Sequence, residues 1–236
     1  MRRWLLPLAA LALTLPGASS ARDELAASLA AAAPAANSEV ITLALRAARC
    51  AREQGRLDTF DRLAVIDYSL PSTEPRLWVF DLRRARLLFE ELVAHGRNTG
   101  GDFAERFSNV EGSKMSSLGL FQTADTYFGS NGYSLRLRGL ERGFNDKAME
   151  RAIVMHGAPY VSEAVAERLG RLGRSWGCPA VRKEIAQTII DTLKGGALVF
   201  SYYPDRKWLD DSALFKCDSG PGRVVSTAQP ASAPGG

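Results

Sequence analysis

The sequence is poor in the residues that carry much enzyme chemistry: its 236 positions include two histidines and three cysteines. The histidines, His95 and His156, have no close Asp, Glu or Cys partners and fall short of the three or four ligands of a zinc site, so no metal is expected. A large excess of charge of one sign is lacking too. The formal net charge is +4, and setting aside Arg2 and Arg3 leaves 28 basic residues against 26 acidic ones. The arginines are scattered, and no stripe of basic and aromatic residues appears, which argues against nucleic acid as the partner. The N-terminal apolar run, Trp4 to Leu15, is too short for a membrane span. What remains is an ordinary globular composition, 46% hydrophobic and long enough to bury a sizeable core.

Arg2 and Arg3, the apolar run and the small residues Gly17 to Ala21 follow the order of a secretory signal peptide. The expected division is a signal peptide over 1–21, cleaved near Ala21, a linker and helix over 22–61, a main domain over 62–217 and a disordered Gly-, Pro-, Ser- and Ala-rich tail over 218–236. An uncleaved anchor is the alternative, and the absence of a cysteine after the apolar run speaks against a lipoprotein. Export places the chain in the periplasm or outside the cell. There an odd cysteine count tends to leave one thiol free. A Cys50–Cys217 disulfide would tie the terminal segments together and leave Cys178 reduced; three unpaired cysteines, with Cys50 simply buried, is the alternative.

Along the chain, the alanine-rich stretch 23–36 reads as a frayed helix or linker. Asn37 or Ser38 caps a helix from Glu39 to about Gln54. From Arg62 the elements become short and rich in Leu, Val and Phe: 63–68, then 76–81 and 86–94 as a β-hairpin. Ser134 to Leu140 alternates like a half-buried strand. Ala152 to Met155 is an apolar strand that ends on a loop histidine, His156. Val161 to Leu169 suits a helix, and Ala197 to Tyr203 a last strand.

The chain centres on Ser175-Trp176-Gly177-Cys178-Pro179. Proline suits a first helical position, and Val181, Ile185, Ile189 and Leu193 recur every four residues before Lys194-Gly195-Gly196. This predicts a helix from Pro179 to Lys194 with Cys178 as its N-cap, where the positive helix end favours thiolate. His156 would take the thiol proton or hold it as an ion pair, the arrangement of a cysteine acyl-transfer enzyme. The Gly177 and Cys178 N–H groups would form an oxyanion hole, with the Gly157 carbonyl orienting the imidazole. Ser175 either hydrogen-bonds near the nucleophile or stabilises the turn. Asn109, Ser117 and Tyr133 are placed along the cleft. Trp176 is a pocket wall or a cover for core, and His95 serves loop packing or substrate contact.

His156-Gly157-Ala158 together with Ser175-Trp176-Gly177-Cys178-Pro179-Ala180-Val181 resembles the signature of the L,D-transpeptidase catalytic (YkuD-like) family, in the branch with a Cys-Pro-Ala-Val run. Ala94-His95-Gly96, Phe107-Ser108-Asn109, Ser116 to Gly119, Gly139-Leu140-Glu141, Ala148 to Ser162 and Gly195 to Pro204 resemble that branch as well, so the likeness covers roughly residues 63–205. The commoner family pattern has histidine where Trp176 stands and arginine or asparagine where Ala180 stands. The resemblance implies a mainly β (α+β) fold, a β-sandwich with a few helices, one of them preceded by the nucleophilic cysteine. It also implies peptidoglycan stem peptides as substrate and no cofactor. Cys178 would attack a tetrapeptide stem, expel D-alanine and pass the acyl group to an amine. An L,D-carboxypeptidase, with water as acceptor, is the alternative, and a non-catalytic peptidoglycan-binding protein a further one.

Overall fold

The computed structural model describes residues 18–217; the expected signal peptide lies almost wholly, and the expected tail entirely, outside the described residues. Two helices come first, α1 (Ala18–Ala32) and α2 (Ser38–Glu53). Asn37 caps α2 by accepting the Glu39 N–H at 2.9 Å, which satisfies one donor that the first turn leaves without an intrahelical partner. Val40, Ile41, Ala44, Ala48 and Ala51 form its buried face. The alanine-rich segment before it is a packed helix rather than a linker, with Leu29 and Ala33 fully buried. Alanine has the highest helix propensity.

Among the described residues, nine strands follow: β1 (Arg62–Asp67), β2 (Leu77–Asp81), β3 (Arg86–Glu91), β4 (Val93–Ala94), β5 (Gly119–Gly129), β6 (Gly132–Gly139), β7 (Val154–Ala158), β8 (Ala180–Arg182) and β9 (Leu198–Tyr202). Helices α3 (Glu163–Leu169) and α4 (Lys183–Leu193) flank β8, and α5 (Arg206–Asp211) follows β9. The strands form one mixed sheet in the order β3-β2-β1-β9-β5-β6-β7-β8-β4. The fold is thus sheet-rich with a few helices, and the sandwich takes the form of one continuous sheet with apolar packing on both faces. Val65, Trp78, Phe80, Leu120, Leu198 and Phe200 pack with α2, while Ala64, Ile66, Val79, Phe121, Met155 and Val199 pack with Ile189 and Ile190 of α4. That split follows from the two-residue period of a strand, which sends neighbouring side chains to opposite faces.

The hairpin of β2 and β3 forms as predicted, but its second arm stops at Glu91. After Leu92 the chain turns away, and β4 pairs with β8 instead. Glu141 ties the far side of the sheet to α5. Its carboxylate accepts the Leu120 N–H at 2.6 Å, the Trp208 indole N–H at 2.9 Å and the Ser212 hydroxyl. Burial raises its pKa, and these hydrogen bonds oppose the rise. A disulfide joins Cys50 to Cys217, with their Cα atoms 5.5 Å apart, and Cys178 is a free cysteine.

Two expectations are corrected. No helix begins at Pro179: residues Ala180 to Arg182 are β8, with Ala180 opposite His156 and Val181 opposite Gly157. Ala180 and Val181 are fully buried, and a short apolar run covered on both sides suits a strand inside a sheet. Helix α4 begins only at Lys183, and Arg182 gives it no side-chain cap. Nor does His156 lie in a loop. It is the central residue of β7, between Ser134 of β6 and Ala180 of β8.

Candidate active site

The parallel register of β7 and β8 brings Cys178, two residues before Ala180, level with Val154. The Val154 N–H donates to Cys178 Sγ at 3.4 Å, and the thiol donates to the Ala152 carbonyl at 3.6 Å. Ala152 holds a left-handed backbone, φ +51°, which is costly for a residue with a Cβ.

The turn that carries the thiol is held from several sides. Ser175 Oγ donates to the Cys178 carbonyl at 2.6 Å and accepts the Gly177 N–H at 3.0 Å. The Ser175 N–H donates to the His95 carbonyl at 3.0 Å, and the Arg97 N–H donates to the Ser175 carbonyl at 2.8 Å. Ser116 Oγ donates to the Gly177 carbonyl at 3.1 Å and accepts the Gly96 N–H at 3.0 Å. Gly177 has φ +124°, and a Cβ there would lie 2.7 Å from the Met115 carbonyl oxygen. A bulkier residue is therefore excluded twice, by backbone and by contact. Ser175 is the turn-stabilising hydroxyl. Because it takes the Gly177 N–H, only the Cys178 N–H remains of the two donors expected to face an oxyanion.

His156 is buried, and its Nδ1 lies 3.1 Å from the Gly157 carbonyl oxygen. A carbonyl only accepts, so the ring proton is assigned to Nδ1 and the lone pair to Nε2. Burial lowers the imidazole pKa, opposed by that carbonyl. Burial also raises the Cys178 pKa, opposed by the Val154 N–H and the charge of Arg151. Both shifts favour uncharged forms, a neutral thiol and a neutral imidazole rather than an ion pair. The strand at Ala180 also removes the helix end that was expected to favour thiolate. The hydrogen bonds of Sγ run to Val154 and Ala152, and none joins it to the imidazole.

The remaining sequence-predicted residues separate. Trp176 is 71% exposed and covers no core; Lys114 Nζ stands 5.1 Å from its ring centroid. His95 is wholly buried. Arg76 Nη2 donates to its Nδ1 at 2.7 Å, and the same guanidinium caps the Val93 and Leu70 carbonyls. Burial and the Arg76 charge push His95 down to about 4, so it is a neutral, structural histidine. Ser117 donates to the Ser108 carbonyl and accepts from Arg151. Asn109 bonds Asp146 and the Lys147 N–H, in a groove with Phe107, Phe144 and Trp208. The Tyr133 hydroxyl donates to Asp191 of α4 at 2.9 Å. None of these three hydrogen-bonds to Cys178 or His156. Sequence reasoning passed over Arg151; its one visible signal is a cation set against the apolar run 152–155. Among the described residues, no three His, Cys, Asp or Glu side chains gather as a metal set.

A family model, YkuD_2, described as the L,D-transpeptidase catalytic domain, matches residues 32–202. Similar solved structures include an L,D-transpeptidase from Mycobacterium smegmatis, 12% identical with a TM-score of 0.39, covering 61% of this chain and 59% of that one. A mutant of the helical cell shape determining protein Pgp2 from Campylobacter jejuni is 12% identical with a TM-score of 0.41, over 64% of this chain and 49% of that one. An L,D-transpeptidase (Yku) from Stackebrandtia nassauensis is 12% identical with a TM-score of 0.36, over 78% and 92%. The chain thus spans about three fifths of the first of these structures and half of the second. No curated protein matches it significantly.

Proposed function

The chain belongs to the L,D-transpeptidase catalytic-domain family, and from that premise we propose that it modifies peptidoglycan stem peptides through an acyl-enzyme on Cys178, in the periplasm and after export by its N-terminal signal. The observation that supports this most is the free Cys178 on a tightly held turn, one strand from a histidine whose Nδ1 is engaged by the Gly157 carbonyl. That tautomer leaves Nε2 as the base.

The thiol first turns away from the Ala152 carbonyl, since catalytic contacts often tighten only with substrate bound. His156 Nε2 takes the proton as Sγ forms a bond to the carbonyl carbon at the L-centre of diaminopimelate in a tetrapeptide stem. The carbonyl oxygen becomes an oxyanion facing the Cys178 N–H. Collapse breaks the C–N bond, and the imidazolium returns its proton to the departing D-alanine amine. An acceptor then attacks the thioester and releases the thiol. An amine of another stem gives a cross-link, a D-amino acid gives an exchanged stem, and water gives a tripeptide. The exposed Trp176 and the Lys114 ammonium over its ring offer an aromatic face and a cation to the carboxylate-bearing stem.

Purified protein incubated with tetrapeptide muropeptides, followed by mass spectrometry, tests the reading. Cross-linked dimers with free D-alanine support the transpeptidase. Tripeptide and D-alanine alone assign the protein as an L,D-carboxypeptidase, and binding without turnover assigns it as a peptidoglycan-binding protein.

A further inference from the structure

Cys178 needs a source of positive potential that the strand at Ala180 does not provide, and the neighbouring titratable groups do not supply it either. Tyr68 and Tyr160, both within electrostatic reach of Cys178, are pushed up to about 12, mainly by burial. His156 is neutral for the reasons given above. Arg151 remains.

Its guanidinium is half-buried and donates to the Ser108 carbonyl at 2.7 Å, the Met115 carbonyl at 2.6 Å, Ser113 Oγ at 3.2 Å and Ser117 Oγ. All four acceptors are uncharged and are reached from Nη1 and Nη2, while Nε is buried without a partner, so the charge is held in place but not neutralised. A cation held this way acts on whatever anion forms beside it. The Met115 oxygen that takes the Arg151 Nη2 proton is the atom that a Cβ on Gly177 would meet at 2.7 Å. The guanidinium therefore stands one carbonyl away from the residue before the nucleophile. On the same loop, Ser116 grips the Gly177 carbonyl; the carbonyl of Ala152, next to Arg151 in sequence, accepts the hydrogen bond of the thiol.

We propose that Arg151 is a positioning residue of this site: it fixes the 108–117 loop against the nucleophile turn and holds an unneutralised positive charge where the thiolate forms. The proposal rests on the reading of Cys178 as the nucleophile, but its test needs no substrate. Because Cys50 and Cys217 are paired, a neutral alkylating reagent such as iodoacetamide reads Cys178 alone, and its rate tracks the thiolate fraction.

The rate is measured from pH 6 upward in the wild type, Arg151→Gln, Arg151→Lys and Ser113→Ala/Ser117→Ala, and each profile is fitted to a single titration and scaled to its own fitted high-pH limit so that changed access cancels. Loss of the charge in Arg151→Gln moves the profile to higher pH and slows the scaled reaction at pH 7 by about tenfold. Arg151→Lys and the double serine variant, which keep the charge, stay within about threefold of the wild type. An unmoved profile in Arg151→Gln overturns the proposal. So does an equal displacement in the double serine variant, which assigns the effect to loop packing alone. If Arg151→Gln does not fold, Arg151→Lys decides: a profile within threefold supports the charge, and a tenfold displacement rules it out.

Discussion

His156 stands opposite Ala180 in the parallel pairing of β7 and β8, and this one register sets both the imidazole and, two residues upstream, the thiol. The pair is placed by strands rather than by a helix end. Strand register is a discrete quantity, since a slip of one residue would send His156 to the other face of the sheet. The turn hydrogen bonds of Ser175 and Ser116 keep that register attached to the nucleophile.

Cys178→Ala abolishes muropeptide turnover and covalent labelling by carbapenems while changing stability by less than about 1 kcal/mol, because Sγ makes only two long hydrogen bonds, at 3.4 and 3.6 Å, and the change removes a single atom from the apolar packing around it. Turnover and urea denaturation of the purified variant check both halves. Residual transfer activity in this variant would remove Cys178 from the mechanism.

Gly177→Ala forces a Cβ against the Met115 oxygen at a backbone angle of +124°. Its expected cost is about 1–3 kcal/mol of stability, with turnover falling by about a hundredfold as the thiol is displaced. Urea denaturation and the muropeptide assay give the two numbers. Wild-type values for both would contradict the tight turn.

Acidification should unfold the protein in part through its histidines. Burial and the neighbouring Arg76 hold His95 at about 4 in the folded state against an ordinary 6.5, with Arg174 adding to the depression. The unfolded chain therefore takes up the proton first. The stabilising contribution is complete above pH 6.5 and is lost as pH falls towards 4, by up to about 3 kcal/mol. His156 is lowered too and acts in the same direction, whereas buried Asp67 and Glu141 are raised and act against it. Denaturation midpoints of the wild type and His95→Gln between pH 7 and 4 isolate the contribution of His95. Equal slopes would show that His95 is not the titrating group.

Much of the sheet is legible in the sequence because its strands alternate or run apolar for five or six residues, as at 63–68, 76–81 and 197–203. The Pro179-Ala180-Val181 run is not, because three buried apolar residues before an amphipathic helix satisfy both periods, and the partner strand that decides between them lies more than twenty residues upstream. The break at Leu92 is hidden for the same reason: β4 follows β3 directly but pairs with β8. Of the site, the glycine before the cysteine and the histidine–glycine pair carry their roles in local chemistry. Arg151 does not, since its four acceptors lie between Ser108 and Ser117 and only the folded chain brings them together. Asn109 and Tyr133 look like cleft residues by type, yet their side chains are committed to Asp146 and Asp191.

Glu141→Ala leaves the Leu120 N–H, the Trp208 indole and the Ser212 hydroxyl without their shared acceptor, and should cost about 3 kcal/mol or more. Cys178 alkylation in the still-folded fraction should match the wild type, because Glu141 binds α5 and not the thiol turn. A stability loss below 1 kcal/mol would show that water replaces the carboxylate.

Helices α1 and α2 pack on one face of the sheet, whereas Cys178 and α4 pack on the other. A layer one strand thick therefore acts as a bulkhead between the helical flank and the chemistry. Tags, surface attachment points or sequence drift on the solvent side of α1 and α2 are insulated from the thiol unless they shift strand register, which makes that flank the natural handle for immobilising the protein with its reactive face left open.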